Sequence, residues 1–244
     1  MATRIQVCGR VTAELDGRRI EAELPGRQGR LVFVYLTVNR LRPVSRDELA
    51  AAVWPEDAPA ASASGLSALL SKLRRVVPVE GRSELRLRLP PGAWIDLEAA
   101  AEGLHRAEAA VARHDWTGAW GPGRVAQHVA ARGFLPGEDA PWIDDQRRRL
   151  EEIHARALEL VGRACLEIGG SELDTAERAA RTLVAKAPYR ESGHRLLMEA
   201  LAARGNPAEA LVVYERLRGR LREELGAAPG PETQALHRRL LGPA

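Results

Sequence analysis

The sequence predicts an α+β domain over residues 1–97 followed by an all-α helical array over residues 98–244. Three observations predict it. Apolar–polar alternation and turn residues mark the first part, and helical periodicity takes over after Leu97. The third is charge: residues 1–97 carry 15 Lys and Arg against 11 Asp and Glu, whereas the rest carries 21 against 22. The formal excess of +3 over 244 residues is therefore confined to the first part.

Composition bounds the function class. With 45% apolar and 28% charged residues the chain is globular rather than disordered. No apolar run approaches the roughly 20 residues of a membrane-spanning helix, and the N-terminus lacks the apolar stretch of a secretory signal. Cys8 and Cys165 are a distant pair, unsuited to a disulfide framework or a metal cluster. A soluble, cytoplasmic protein is expected. Lys72 and Lys186 are the only lysines; the arginine bias reflects genome composition and proves no function.

The elements follow in order. Ile5–Val7 and Val11–Leu15 alternate as half-buried strands do, Asp16-Gly17 makes a tight hairpin turn, and Arg18–Leu24 returns before Pro25-Gly26. Leu31, Val34, Tyr35 and Val38 share one helical face. Ser45-Arg46-Asp47-Glu48 is a capping box that opens a helix stopped by Trp54-Pro55. After a short loop rich in Pro, Ala and Ser, a third helix runs from about Ser62 to Val77.

On that third helix Leu66, Leu69, Leu70, Leu73 and Val77 form an apolar stripe. The opposite side carries Ser64, Ala68, Ser71 and Arg75, flanked by Ser67, Lys72 and Arg74, with no acid between Ser62 and Val79. Small residues allow close approach to a major groove, hydroxyls bond bases or phosphates, and cations neutralise the backbone. An ordinary surface helix with a solvated basic end accounts for the same pattern. In Glu84–Leu89 strict alternation puts Arg86 and Arg88 on one face and the leucines on the other. Pro90-Pro91-Gly92 signals a type II turn, with Ala93–Leu97 as the returning partner strand. Strands, three helices and a hairpin make the winged helix-turn-helix order, with Arg82, Arg86 and Arg88 where a wing meets phosphates. A solvated strand face is the alternative for those arginines.

From Asp96 onward the chain reads as helix pairs: Leu97–Arg113 with Trp116–Arg132, interrupted at Gly121-Pro122-Gly123; Trp142–Ile168 with Glu172–Ala187; Glu191–Arg204 with Pro207–Glu224; and a closing Pro231–Leu241. Ala176-Glu177 and Ala208-Glu209 recur 32 residues apart, near the 34-residue tetratricopeptide period. Trp142, Tyr189 and Tyr214 are either groove or core residues. Arg147 and Arg148 stand four residues before Glu151 and Glu152, as helix-surface ion pairs do. His105, His114, His128, His154, His194 and His237 show no zinc-site spacing and read as satisfied or solvated side chains.

No catalytic centre is legible. The chain has no Gly-x-x-x-x-Gly-Lys-Ser/Thr loop, no Gly-x-Gly-x-x-Gly and no Gly-x-Ser-x-Gly. Cys165 lies in a helical apolar pattern. The expectation is a non-enzyme without cofactor or metal.

Motifs in order along the whole chain carry a family resemblance. The first part holds Leu15-Asp-Gly-Arg-Arg-Ile20, Gly26-Arg-Gln-Gly-Arg-Leu31, Pro43-Val-Ser-Arg-Asp-Glu-Leu-Ala50, Leu69-Leu-Ser-Lys-Leu-Arg-Arg75 and Leu89-Pro-Pro-Gly92. The second holds Trp142 with Gln146-Arg-Arg-Arg-Leu-Glu-Glu152, Pro188-Tyr-Arg-Glu-Ser192, Leu197-Met-Glu-Ala-Leu201, Gly205-Asn-Pro-Ala-Glu-Ala-Leu211 and Glu223-Glu-Leu-Gly226 with Pro229 onward. Together they resemble SARP-type (AfsR/DnrI-like) bacterial transcriptional regulators. The resemblance implies an OmpR-like winged helix over 1–97 and a bacterial transcriptional activation domain of tetratricopeptide-like helices over 98–244. It further implies sequence-specific binding to double-stranded promoter DNA, commonly by two protomers, and recruitment of RNA polymerase. Carried onto this chain, the recognition helix is Ser62–Val77 and the wing Glu84–Leu97. After Pro90-Pro91-Gly92, where the family commonly has an aromatic, stand Ala93 and Trp94. The ATPase and sensor regions of larger members are absent, so the chain reads as a stand-alone member or the front of a longer one.

The function expected is therefore a DNA-binding transcriptional activator, nucleoid-associated. Its DNA-facing residues are Ser64, Ser67, Ser71, Lys72 and Arg75, with Arg74, Arg82, Arg86 and Arg88 on phosphates or the adjacent minor groove. The rival is a protein–protein scaffold with a degenerate winged helix.

Overall fold

The computed structural model describes residues 3–55 and 62–242. They belong to two compact units, Met1–Ala99 with Val129–Glu151, and Ala100–His128 with Glu152–Ala244. The chain is predominantly helical with a small sheet region near its N-terminus.

In the first unit, β1 (Arg4–Gln6), β2 (Thr12–Leu15) and β3 (Arg18–Arg19) form an antiparallel meander. Asp16 and Gly17 both take positive φ, 51° and 84°, which is the type I′ geometry that a two-residue hairpin turn requires. The return strand is much shorter than Arg18–Leu24, because a turn closed by Glu23 N–H on the Ile20 carbonyl bends the chain away. Helix α1 (Gly26–Val38) is buried on nearly every side, with Val32, Phe33 and Leu36 joining the predicted Leu31, Val34 and Tyr35. Then come β4 (Val44–Ser45), α2 (Arg46–Val53) and α3 (Ser62–Leu73). The Ser45 hydroxyl accepts the Glu48 N–H at 3.1 Å, the first half of the capping box. Most of the loop read as rich in Pro, Ala and Ser, residues 56–61, lies outside the described residues.

The strands β5 (Val79–Glu80), β6 (Glu84–Leu87) and β7 (Trp94–Ile95) correct the expected hairpin. Ala93–Leu97 does not return on Glu84–Leu89. Instead β7 pairs in parallel with β1, Ile5 opposite Ile95, completing a sheet of order β3-β2-β1-β7. The partners of β6 are β5 and β4, giving a second antiparallel sheet of order β4-β6-β5. The Pro90-Pro91-Gly92 turn is formed, with Ala93 N–H on the Pro90 carbonyl and Gly92 at φ 80°, but it carries the chain to the other sheet.

The same unit takes in residues 129–151 through specific bonds. Gly9 N–H meets the Gly133 carbonyl at 2.7 Å and Leu135 N–H the Val7 carbonyl at 3.3 Å. Asp96, fully buried, accepts the N–H groups of Val7 and Cys8 at 2.9 and 3.0 Å and faces Arg132 at 3.3 Å. Burial pushes the Asp96 carboxyl up despite these donors, and burial beside Asp96 raises the Cys8 thiol strongly. Trp142 belongs here rather than in a groove. Its Nε1 donates to the Ala52 carbonyl at 3.0 Å, and its ring meets Tyr35 and Phe134 edge-on at 5.0 and 5.9 Å. The predicted pairing of Arg147 and Arg148 with Glu151 and Glu152 is also corrected: Arg147 holds the carbonyls of Phe134, Leu135 and Glu138, and Arg148 pairs with Asp145.

Helices α4 (Asp96–Val111), α5 (Trp116–Ala131), α6 (Pro141–Ile168), α7 (Leu173–Lys186), α8 (Glu191–Ala203), α9 (Pro207–Leu225) and α10 (Pro231–Leu241) occupy the segments read as helical. Pro207 and Pro231 sit in first turns, and the structure places Gly226 at the left-handed C-cap of α9. The expected interruption of α5 is absent: the helix continues through Pro122. A Cβ on Gly103 would lie 2.7 Å from the Pro122 carbonyl, so glycine lets α4 approach at that point.

Within the second unit, α7, α8 and α9 stack in succession around Leu196, Leu197, Met198 and Leu201. The repeat register differs from the 32-residue spacing. Ala208 is exposed, and the buried equivalents are Ala176 with Ala210, Ala180 with Tyr214 and Leu183 with Leu217, each about 34 positions apart. Tyr214 is core, stacked on His237 at 3.8 Å, while Tyr189 is exposed and bonds Glu224. Cys165 packs among Val161, Ala176 and Ala200. His154 and His194 are buried, not solvated, and burial lowers the pKa of both.

Candidate nucleic-acid interface

Helix α3 turns Leu66, Leu70 and Leu73 inward, each at most 1% exposed, which fixes its opposite face to solvent. Ser64, Ser67, Ala68, Ser71 and Lys72 are all exposed there. The helix ends at Leu73, four residues before the predicted Val77, because the chain tightens into turns: Arg75 N–H reaches the Lys72 carbonyl and Val76 N–H that of Leu73. Arg74 and Arg75 therefore stand past the helix end rather than on its wheel.

That shift separates two adjacent cations. The Arg74 guanidinium is taken up by the Val79 and Gly81 carbonyls, so it ties the end of α3 to the β5–β6 hairpin. Arg75 is exposed, with no ion pair among the described residues.

The β5–β6 hairpin turns at Gly81-Arg82-Ser83. Gly81 has φ 89°, and a Cβ there would lie 1.7 Å from the Glu84 carbonyl oxygen, so the turn depends on glycine. Arg82 is exposed at the tip. Leu85 and Leu87 are buried while Arg86 and Arg88 lie on the other face, as alternation predicted. That face also carries an acid: Glu80 lies opposite Arg86 in the ladder and accepts from Arg88 Nε at 2.8 Å.

Sequence reasoning missed Arg46. It opens α2, its N–H bonds the Ser83 carbonyl at 3.2 Å, and its Nη2 donates to Ser67 Oγ at 2.6 Å. One side chain so links α2, the exposed face of α3 and, through its backbone, the hairpin. The signal available was its place in the first turn after Ser45, where a cation runs against the helix dipole. Glu48 in that same turn is committed elsewhere. It accepts from Tyr35 Oη at 2.7 Å and from Arg42, which holds its carboxyl down to about 2.

The surface thus assembled presents hydroxyls and cations from α3, with Arg46 beside it and Arg82 and Arg86 on the hairpin. Among the described residues no group of His, Cys, Asp and Glu is placed to hold a metal ion, and no helix is long and apolar enough to cross a membrane.

The chain thus combines a helix–helix–hairpin unit with stacked helix pairs. The chain superposes on a structure of Mycobacterium tuberculosis EmbR in complex with a low affinity phosphopeptide, with a TM-score of 0.84 at 24% identity, covering 98% of this chain and 65% of that one. That likeness concerns the fold. Residues 95–241 match the model of the bacterial transcriptional activator domain, and the chain belongs to that family.

The relatives include SARP-type regulators, the class its motifs resemble. It is 31% identical to the regulatory protein AfsR of Streptomyces griseus and 33% identical to that of Streptomyces coelicolor, in each case over 98% of this chain and 24% of the relative. It is 27% identical to the transcriptional regulatory protein EmbR of Mycobacterium tuberculosis, over 96% of this chain and 62% of EmbR. The chain spans about a quarter of the length of the AfsR proteins.

Proposed function

We propose that this chain is a sequence-specific DNA-binding transcriptional activator without catalytic activity, acting in the cytoplasm at the nucleoid. Residues 1–97 are read as an OmpR-like winged helix and residues 98–244 as a tetratricopeptide-like activation domain that engages RNA polymerase. Helix α3 enters the major groove of promoter DNA, and the β5–β6 hairpin is the wing. Ser64, Ser67, Ser71, Lys72 and Arg75 face the groove; Arg82, Arg86 and Arg88 meet phosphates or the minor groove. Arg74 joins them while holding the hairpin, and Arg46 adds a cation at the edge. Two protomers occupy adjacent half-sites.

The observation that carries this reading is the exposed hydroxyl-and-cation face of α3, opposite leucines that are fully buried. Buried leucines fix the helix orientation, so that face is what the unit offers to a ligand. The names of the relatives agree with it, and the 34-residue burial register of α7 and α9 supports the tetratricopeptide-like reading.

The test is binding of the purified chain to duplex from its own upstream region against random duplex of equal length, across a salt series. Preference for the upstream duplex that persists as salt rises is expected. Equal, weak binding to both sends the reading to the scaffold alternative.

A further inference from the structure

The second unit contains a cleft of about 420 Å³ bounded by α7 and α9 and floored by α8. Its walls are of two kinds. Val184, Leu197 and Val213 make an apolar surface, while Arg181, Arg216 and Arg220 bring three guanidinium groups to the lining. Among the described lining residues there is no carboxylate.

The cations differ in how far they are committed. Arg181 pairs with Glu177 at 2.6 Å and with Glu209 at 3.5 Å. Arg220 reaches Glu224 at 3.6 Å, and Arg216 has no ion pair among the described residues. Arg216 and Arg220 stand one turn apart on α9 and are both exposed, so their side chains lie on one helix face within reach of a single anion. His194, 3% exposed, lines the cleft from α8. Its Nε2 lies 3.0 Å from the Pro188 carbonyl and donates to it, which leaves Nδ1 as an acceptor, buried without a partner among the described residues.

We propose that this cleft binds a small amphipathic carboxylate. The apolar body lies against Val184, Leu197 and Val213, and the carboxylate is held by Arg216 and Arg220. The volume is in the range of small-ligand sites, and paired guanidinium donors suit a planar carboxylate better than a point charge. The assignment concerns the second unit and does not depend on the DNA-binding reading.

Octanoate and octylammonium are the probes, matched in apolar body and opposite in charge. They are titrated into the full chain labelled with carbon-13 at Val and Leu methyl groups. Octanoate is expected to shift the Val184, Leu197 and Val213 resonances saturably and octylammonium to leave them in place. The double variant R216Q/R220Q, altered at exposed positions, is expected to weaken octanoate binding about tenfold or more, with DNA binding unchanged. Three results would overturn the proposal: no saturable shift with octanoate, equal shifts with octylammonium, or unchanged octanoate affinity in a folded R216Q/R220Q. Tighter binding by a peptide of alternating Glu and Leu than by octanoate would make the occupant a protein segment and overturn the small-ligand assignment.

Discussion

Arg46 Nη2 donates to Ser67 Oγ across 2.6 Å, from the first turn of α2 to the exposed face of α3. The bond holds a hydroxyl of the candidate reading face from outside its own helix. Exposed bonds of this kind contribute little to stability, about 0.5 kcal/mol. Arg46→Ala is therefore expected to leave the urea midpoint nearly unchanged while weakening DNA binding several-fold, through lost positioning and one lost cation. A fall in stability matching the fall in affinity would assign Arg46 to folding instead.

Arg74 should behave in the opposite way. Its guanidinium serves the Val79 and Gly81 carbonyls, so Arg74→Ala leaves two acceptors of the hairpin to water. A stability loss of roughly 1–2 kcal/mol is expected in urea unfolding. Amide exchange should be faster in the Val79–Leu87 hairpin than elsewhere in the first unit. Unchanged protection in the hairpin would contradict this.

Glu48 makes the first unit acid-sensitive. Arg42 and Tyr35 hold its carboxyl at about 2, against 4.5 for an ordinary Glu. A depressed folded value means that the stabilisation is fully present above 4.5 and is lost as pH falls from there toward about 2. The side chain is 33% exposed, so solvent screening reduces the contribution to about 1 kcal/mol. Glu48→Gln should flatten that part of the stability–pH curve, measured by urea unfolding from about pH 3 to about pH 6. An unaltered curve would remove Glu48 as its source.

Asp96 fastens the first unit from a buried position. Asp96→Ala strands the buried N–H groups of Val7 and Cys8 and unpairs Arg132. The cost is roughly 3 kcal/mol or more, read as a lowered midpoint in thermal or urea unfolding. A change below about 1 kcal/mol would show that water replaces the carboxylate.

Much of this was legible in the sequence, for physical reasons. The starts of the last two helices were readable because Pro207 and Pro231 act through local backbone geometry. The buried side of α3 was readable because leucine spacing specifies a face. Strand pairing was not, since alternation in Glu84–Leu89 shows which side chains are buried but not which strand lies alongside. That β7 joins β1, and that Val44–Ser45 joins β6, depends on contacts distant in sequence. Asp96 read only as the start of the helical region; nothing local shows that its carboxylate accepts from Val7 and Cys8. The candidate site was legible as residue types. The division of labour between Arg74 and Arg75 was not, because it follows from where α3 ends, and Arg46 was hidden by its separation of 21 positions from Ser67.

The most direct measurement is the slope of log affinity against log salt for the upstream duplex, compared among the wild type, Arg75→Ala and Arg82→Ala. Each phosphate neutralised contributes roughly 0.9 to that slope, so each variant should be shallower by about that amount with its fold intact. Identical slopes in all three proteins would contradict a DNA interface formed by α3 and the β5–β6 hairpin.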